Sequence, residues 1–220
     1  EPVLRPVITR ALKRKDYGAI ARQVSQVGFW IMAAQVAIAL SLGITGEGVM
    51  GLIGREFVGG TGALALLLAA EVVASTAVVS EAALIYVHRV RNLGVSLATI
   101  GFQAVLTFAG ILLMQHLGYN SLFQAAAAAG ALFIALGLAS VVKAKMLAKF
   151  LGHPINNWRW PLLWAAAPAV AIGFVFTQYL PEWVELAFGI PAILGSYLFV
   201  IWKKAFGPED RKLFQKTKSN

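Results

Sequence analysis

Glu71 and Glu81 are carboxylates set inside one long apolar run, and a charge in that setting costs at least a few kcal/mol to bury. Ten helical residues turn through about 1000°, so on a helix the two lie within about 80° of one another. Ala74, Ser75, Val78 and Ala82 share that face, while Leu66, Val73 and Leu84 point elsewhere. One wall of such a helix is small, polar and acidic, as the lining of a water-filled substrate or ion pathway would be. The plainer alternative has Glu71 protonated and hydrogen-bonded to a neighbouring helix, with Glu81 paired to Arg89 or Arg91. A second polar stripe, Ser96, Thr99, Gln103, Thr107 and Gly110, advances in steps of 3, 4, 4 and 3, the period of one helix face. In lipid such a face must turn toward protein or water. Substrate contact and interhelical hydrogen bonding both meet that demand.

Other chemistry is poorly supplied. There is no cysteine, which excludes disulfides, thiolate metal sites and cysteine nucleophiles. The three histidines, His88, His116 and His153, fall in separate interfacial regions, and Asp16 and Asp210 are the only aspartates. No DxD, HExxH or Walker A pattern occurs, and no paired carboxylates stand near a histidine. The chain therefore reads as no enzyme, with no catalytic residue, metal site or cofactor.

The elements that must position these residues are membrane spans. The 220 residues are 59% hydrophobic and 13% charged, with a mean hydropathy of +0.72. A soluble domain carries about a quarter charged residues, and here the apolar excess lies in blocks long enough to cross a bilayer. The expected fold is an all-α polytopic membrane helix bundle of six transmembrane helices. Spans are expected at about 27–44, 63–87, 93–117, 122–142, 160–180 and 184–202. Residues 1–26 read as an amphipathic basic segment at the membrane surface, 27–202 as the six-helix bundle, and 203–220 as a basic tail. Between the first two spans lies a Gly-rich stretch, Gly46 to Gly62, whose apolar piece Val49–Ile53 is too short to cross. The run Ala125–Ala129 with Gly130 and Gly137 reads as close helix packing. Pro161 and Pro168 suggest a kinked fifth span, and Trp158, Trp160, Trp183 and Trp202 fall at interfaces, as anchors do. The chain begins at Glu1 without an initiator methionine and without a signal-peptide pattern, so a cut through a longer protein is expected.

Orientation follows from the basic residues. Of the 19 lysines and arginines, 18 lie in the N-terminal segment, the second and fourth inter-span loops and the tail, leaving Arg55 on the other side. The positive-inside rule then puts both ends of the segment in the cytoplasm. The net charge of +9 sits between apolar blocks with no aromatic-interleaved basic face. Anionic lipid headgroups are the expected partner, and nucleic acid is not.

Several stretches together carry a family resemblance. They are Pro6-Val7-Ile8-Thr9-Arg10 with the basic run to Gln26, and Gly54-Arg55-Glu56-Phe57 followed by Gly59-Gly60 and the apolar run Ala63–Leu68. The turn Arg89-Val90-Arg91 before Leu93 belongs with them, as does the tail Phe206-Gly207-Pro208-Glu209-Asp210-Arg211. In combination they resemble the polysaccharide-exporter branch of the MOP (multidrug/oligosaccharidyl-lipid/polysaccharide) flippase superfamily, which also holds multidrug exporters and lipid II flippases. The resemblance implies two pseudo-symmetric lobes, of which this chain supplies the C-terminal portion, with the N-terminal lobe of the same protein as a partner. It implies a transporter in the bacterial inner membrane that flips lipid-linked oligosaccharide by alternating access, the polar head crossing a central cavity while the polyprenyl tail stays in lipid. Most of the family's cavity is basic, and this stretch offers almost no intramembrane Lys or Arg. Rival readings are a small-molecule exporter coupled to Na⁺ or H⁺ through Glu71, a membrane-embedded enzyme of envelope polysaccharide assembly, and a non-transporting scaffold.

The absence of native cysteine makes the orientation directly testable. In intact cells a membrane-impermeant maleimide should label Tyr119→Cys and leave His153→Cys unlabelled until the membrane is opened. The reverse pattern would invert the topology.

Overall fold

The computed structural model describes residues 15–207 and residue 210. The start of the basic N-terminal segment and most of the tail, including Pro208, Glu209 and Arg211, lie outside the described residues. The described chain is helical and contains no strand: α1 (Tyr17–Ile44), α2 (Gly46–Ile53), a 3₁₀ turn (Arg55–Gly60), α3 (Thr61–Val87), α4 (Arg89–His116), α5 (Ser121–Leu151) and α6 (Pro161–Tyr179). A short turn, Glu182–Val184, and a π-helical turn, Glu185–Gly189, then lead into α7 (Ile190–Lys204). Six of these segments are long and apolar enough to cross a bilayer, at Tyr17–Ile44, Arg55–Val87, Arg89–His116, Ser121–Leu151, Pro161–Tyr179 and Glu182–Lys204. The chain is an all-α, multi-pass membrane protein. With no water in hydrocarbon to satisfy the backbone, a helix that bonds its own peptide groups is the element such apolar runs must form.

The boundaries differ from the sequence expectation in two instructive places. First, α1 is one continuous helix of 28 residues that begins at Tyr17. Ile20, Ala21 and Val24, expected on a surface-lying segment ending at residue 26, are instead buried in a core. Second, α5 runs 31 residues to Leu151, so Lys143, Lys145 and Lys149, expected in a loop, are helical. Lysine continues a helix readily, and nothing before Gly152 breaks it; Gly152 takes the left-handed φ of +66° that ends the element.

The chain divides into two compact units. Unit 1 comprises the N-terminal part of α1 through Gln35 together with residues 62–157. At one end its core joins Ile20, Ala21 and Val24 of α1, Val79, Ala83 and Leu84 of α3, and Leu147 and Leu151 of α5. Further along, α3 and α5 run parallel: a Cβ on Gly130 would approach Leu66, and one on Gly137 would approach Val73, each at 4.0 Å. Ser140 of α5 ties the same pair together, accepting from the Ala77 amide at 3.2 Å and donating to the Val73 carbonyl of α3. That hydroxyl is interhelical glue of the kind expected in lipid. α4 packs along α5, with Gly110 against Ala127.

Among the described residues unit 2 comprises 36–61, 158–207 and 210, and α6 and α7 form its hairpin. Gly173 of α6 has the side chains of Ile44 and Ile193 against it, and Gly189 receives Phe176 in the same way. α6 continues through Pro168. The π-helical turn has a local cause: Pro191 has no amide to donate, and its ring collides with the carbonyl four residues back, so the chain widens there. Asp210, the one described residue of the tail motif beyond Gly207, is buried and accepts from the Arg159 guanidinium at 3.2 Å and from the Gly207 amide at 3.0 Å. The tail is thereby tied to the segment that precedes α6.

Two glycines should report on the two units. A Cβ on Gly28 would lie 2.3 Å from the Asn157 amide nitrogen, and one on Gly173 would lie 2.6 Å from an Ile44 methyl. Gly28→Ala and Gly173→Ala should each cost about 1–3 kcal/mol of overpacking, read as a lowered unfolding midpoint. Gly101→Ala, where nothing lies within 4 Å, should be neutral or stabilising by up to about 1 kcal/mol.

Candidate functional site

The polar residues of unit 1 fall into two sets at different depths. The first is an ion-pair cluster near the His88 corner. Lys143 is buried, and its Nζ donates to Glu81 Oε2 at 2.5 Å and to Ser96 Oγ at 2.9 Å. Asn92, also buried, donates from Nδ2 to Glu81 Oε1 at 3.3 Å, so α3, α4 and α5 each contribute. Glu81 is thus paired, but to Lys143 rather than to Arg89 or Arg91, which are exposed. The cluster is not closed. An ammonium has three donors and two are engaged here, and Asn92 Oδ1 is buried with no hydrogen-bond partner.

Seven residues from His88 to Glu81 rise about 10 Å, and eight from His88 to Ser96 rise about 12 Å, which places the pair near one boundary of the bilayer. A buried pair there gains little net stability, because desolvation offsets much of the attraction. Its firm consequence is coupling: neither charge can be removed without stranding the other.

The second set lies deeper. Glu71, at mid-helix on α3, is exposed and forms no contact with another described side chain that would neutralise it. Gln103 and Thr107 on α4 are half-buried and likewise form no hydrogen bond among the described residues. Measured along their helices from His88, Glu71 rises about 25 Å, Gln103 about 23 Å and Thr107 about 28 Å. On helices of 27 and 28 residues, each about 40 Å long, the three fall within about 5 Å of one another a little past the midpoint.

The other residues singled out in the sequence are engaged with protein. Ser75 is buried and donates back to the Val72 carbonyl at 2.7 Å. Thr99 donates to the Val95 carbonyl at 2.8 Å and lines a small apolar crevice with Phe102, Ala135 and Ala139. Ser96 joins the ion pair, and Gly110 admits α5. The polar stripe on α4 therefore divides: Ser96, Thr99 and Gly110 are engaged with protein, and Gln103 and Thr107, between Thr99 and Gly110, form no hydrogen bond among the described residues. Among the described residues no three His, Asp or Glu side chains could hold a metal ion.

Lys143 and Asn92 went unnoticed in the sequence. The signal for Lys143 was present, since Ala131, Ala135, Ala139, Lys143, Leu147 and Leu151 form a buried stripe at steps of four. A lysine on that stripe points inward, wherever the apolar run is taken to end.

The pair predicts an asymmetry. Lys143 has a side chain only 6% exposed and Glu81 one that is 37% exposed. Glu81→Gln strands the more deeply buried charge and should lower stability by about 3 kcal/mol, the lower end for a broken buried pair. Lys143→Gln, which leaves a partly exposed carboxylate, should cost less. The double variant should cost less than the sum of the two in a double-mutant cycle. Simple additivity would mean that the pair is not formed.

Neither a protein family, nor a curated protein, nor a solved structure matches this chain.

Proposed function

We propose that the chain is part of a membrane transporter that moves lipid-linked oligosaccharide across the inner membrane of a bacterium, with the His88 end of unit 1 and both ends of the segment on the cytoplasmic side. The observation that carries this reading is the set Glu71, Gln103 and Thr107, polar groups at one depth inside the bilayer with no partner among the described residues. A carboxylate facing lipid at that depth would cost several kcal/mol. A helix face that keeps one either holds it protonated or meets water or a polar surface for part of its working cycle, and two further polar groups at this level favour the second. Alternating access supplies such a surface, because a central cavity opens first to one side and then to the other. The sequence stretches that resemble polysaccharide exporters, Gly54–Phe57 and the tail around Asp210 among them, agree with this reading. The cluster at Lys143 fits a positioning role, since it fixes α3 against α4 and α5 and so holds the Glu71 face in register.

A second reading draws on the same carboxylate. An unpaired acid inside the membrane is also what an exporter coupled to Na⁺ or H⁺ requires. The two are separated by cargo. In a strain whose surface polysaccharide depends on the full-length protein, deletion should accumulate complete lipid-linked repeat units on the cytoplasmic leaflet. Glu71→Ala should reproduce most of that accumulation with the protein still present in the membrane. Incomplete repeat units would instead place the protein in synthesis, and an unchanged repeat-unit pool with lost resistance to small toxic compounds would favour the exporter.

A further inference from the structure

Unit 2 holds a concentration of negative charge at the head of its last span. Glu185 lies in the π-helical turn, is 5% exposed, and has an Oε1 with no hydrogen-bond partner. Glu182 stands one turn earlier and reaches toward α2, where a Cβ on Gly51 would come within 3.8 Å of its Oε2. α2 rests on the same turn, since a Cβ on Gly48 would meet Leu186 at 3.2 Å. Glu47 is the residue before Gly48 on α2, so α2 and the turn bring three carboxylates to one corner of unit 2. Arg55 in the adjoining 3₁₀ turn is exposed and pairs with none of the three.

Packing alone does not account for an acid here. Glu185 begins a stripe that Gly189, Ile193, Tyr197 and Ile201 continue at steps of four, all buried. An apolar side chain at its head would fill the space without penalty. A buried carboxylate oxygen with no donor, in the field of two more carboxylates, is costly unless a positive charge neutralises it. Glu185 is also reachable, because it lies only about 5 Å along the axis from the first residue of the span Glu182–Lys204. Among the described residues no three acidic or histidine groups are arranged to hold a metal ion. The arrangement fits one positive charge held by one buried carboxylate, with its neighbours supplying field rather than ligation.

We propose that Glu185, in the field of Glu47 and Glu182, binds a single monovalent cation, a proton or an alkali ion, at the membrane boundary of unit 2. The site stands independently of the cargo. It differs from Glu71 in being buried within protein and close to water. The π-helical turn at Pro191 brings the acid onto the inward stripe, since its wider winding offsets the drift of a four-residue repeat on an α-helix.

The test uses the full chain in detergent and its thermal unfolding midpoint. Sodium chloride is compared with choline chloride at equal ionic strength, and pH is varied in choline alone. Wild type should gain several degrees with sodium, which identifies an alkali ion, or with acidification in choline, which identifies a proton. Glu185→Gln should lose that response and start from a higher midpoint, because it is already neutral. If Glu185→Gln does not fold, Glu47→Gln and Glu182→Gln should each raise the sodium concentration, or lower the pH, at half response. A wild type indifferent to both variables overturns the proposal, and so does a response that survives unchanged in all three variants.

Discussion

Inside a bilayer no water is at hand for a polar group, so every one must be satisfied by protein or displaced toward a boundary, and this constraint organises the whole chain. It explains first why the apolar runs are helices. It explains next what the small hydroxyl side chains do. Ser41, Thr45, Ser75, Thr99 and Ser196 each return a hydrogen bond to a carbonyl three or four residues back on the same helix. Such a residue carries a polar atom through the membrane at almost no cost. Ser96 and Ser140 instead reach another helix, Ser96 accepting from Lys143 of α5 and Ser140 joining the backbone of α3.

Charges obey the same constraint with less freedom. Lys143 could be carried by a span only because Glu81, Ser96 and the nearby boundary share its charge. The cluster therefore says more about specificity than about stability. Three helices must adopt one register for its bonds to form, and a slip by one turn would leave an ammonium alone in hydrocarbon. The steps-of-four stripe from Ala131 to Leu151 turns this face of α5 inward, with alanines at 131, 135 and 139 and leucines at 147 and 151 in the core shared with α1 and α3.

Which features could be read from sequence follows from how local their causes are. Six spans were legible because hydropathy and length decide them, whereas the helix Gly46–Ile53 was legible only as a Gly-rich stretch with an apolar piece too short to cross. The polar stripe on α4 was legible as a stripe, yet its division between packing and unpaired residues was not. That division depends on where α5 places Ala127, Ala135 and Ala139. Lys143 was misplaced into a loop because a charge was taken to end a span, whereas the helix ends only at Gly152. The continuous α1 was missed for a related reason. A basic, mixed segment resembles a surface helix until Ile20 and Val24 are seen to match Leu147 and Leu84 across the core. The π-helical turn has its signal in Pro191, but the burial of Glu185 arises from α2 and the α6–α7 hairpin together, which no local pattern encodes.

The depth of each charge then separates its possible roles. Lys143 and Glu185 both lie on inward stripes near a boundary, where protein surrounds the charge and water is a short distance away. A charge so placed can be neutralised locally, by an ion pair in one case and by a bound cation in the other. Glu71 has neither resource. It lies about 25 Å along α3 from His88, it is exposed, and no described side chain neutralises it. The only ways to keep such a residue are protonation, a polar partner surface, or water reaching it, and Gln103 and Thr107 at the same depth make the same demand. A packing role would consume these groups, as it consumes Ser75 and Thr99 one or two turns away. That an exposed carboxylate shares this level with two further polar side chains, none of them hydrogen-bonded among the described residues, is the physical reason to propose a passage, rather than only an interface, beside them.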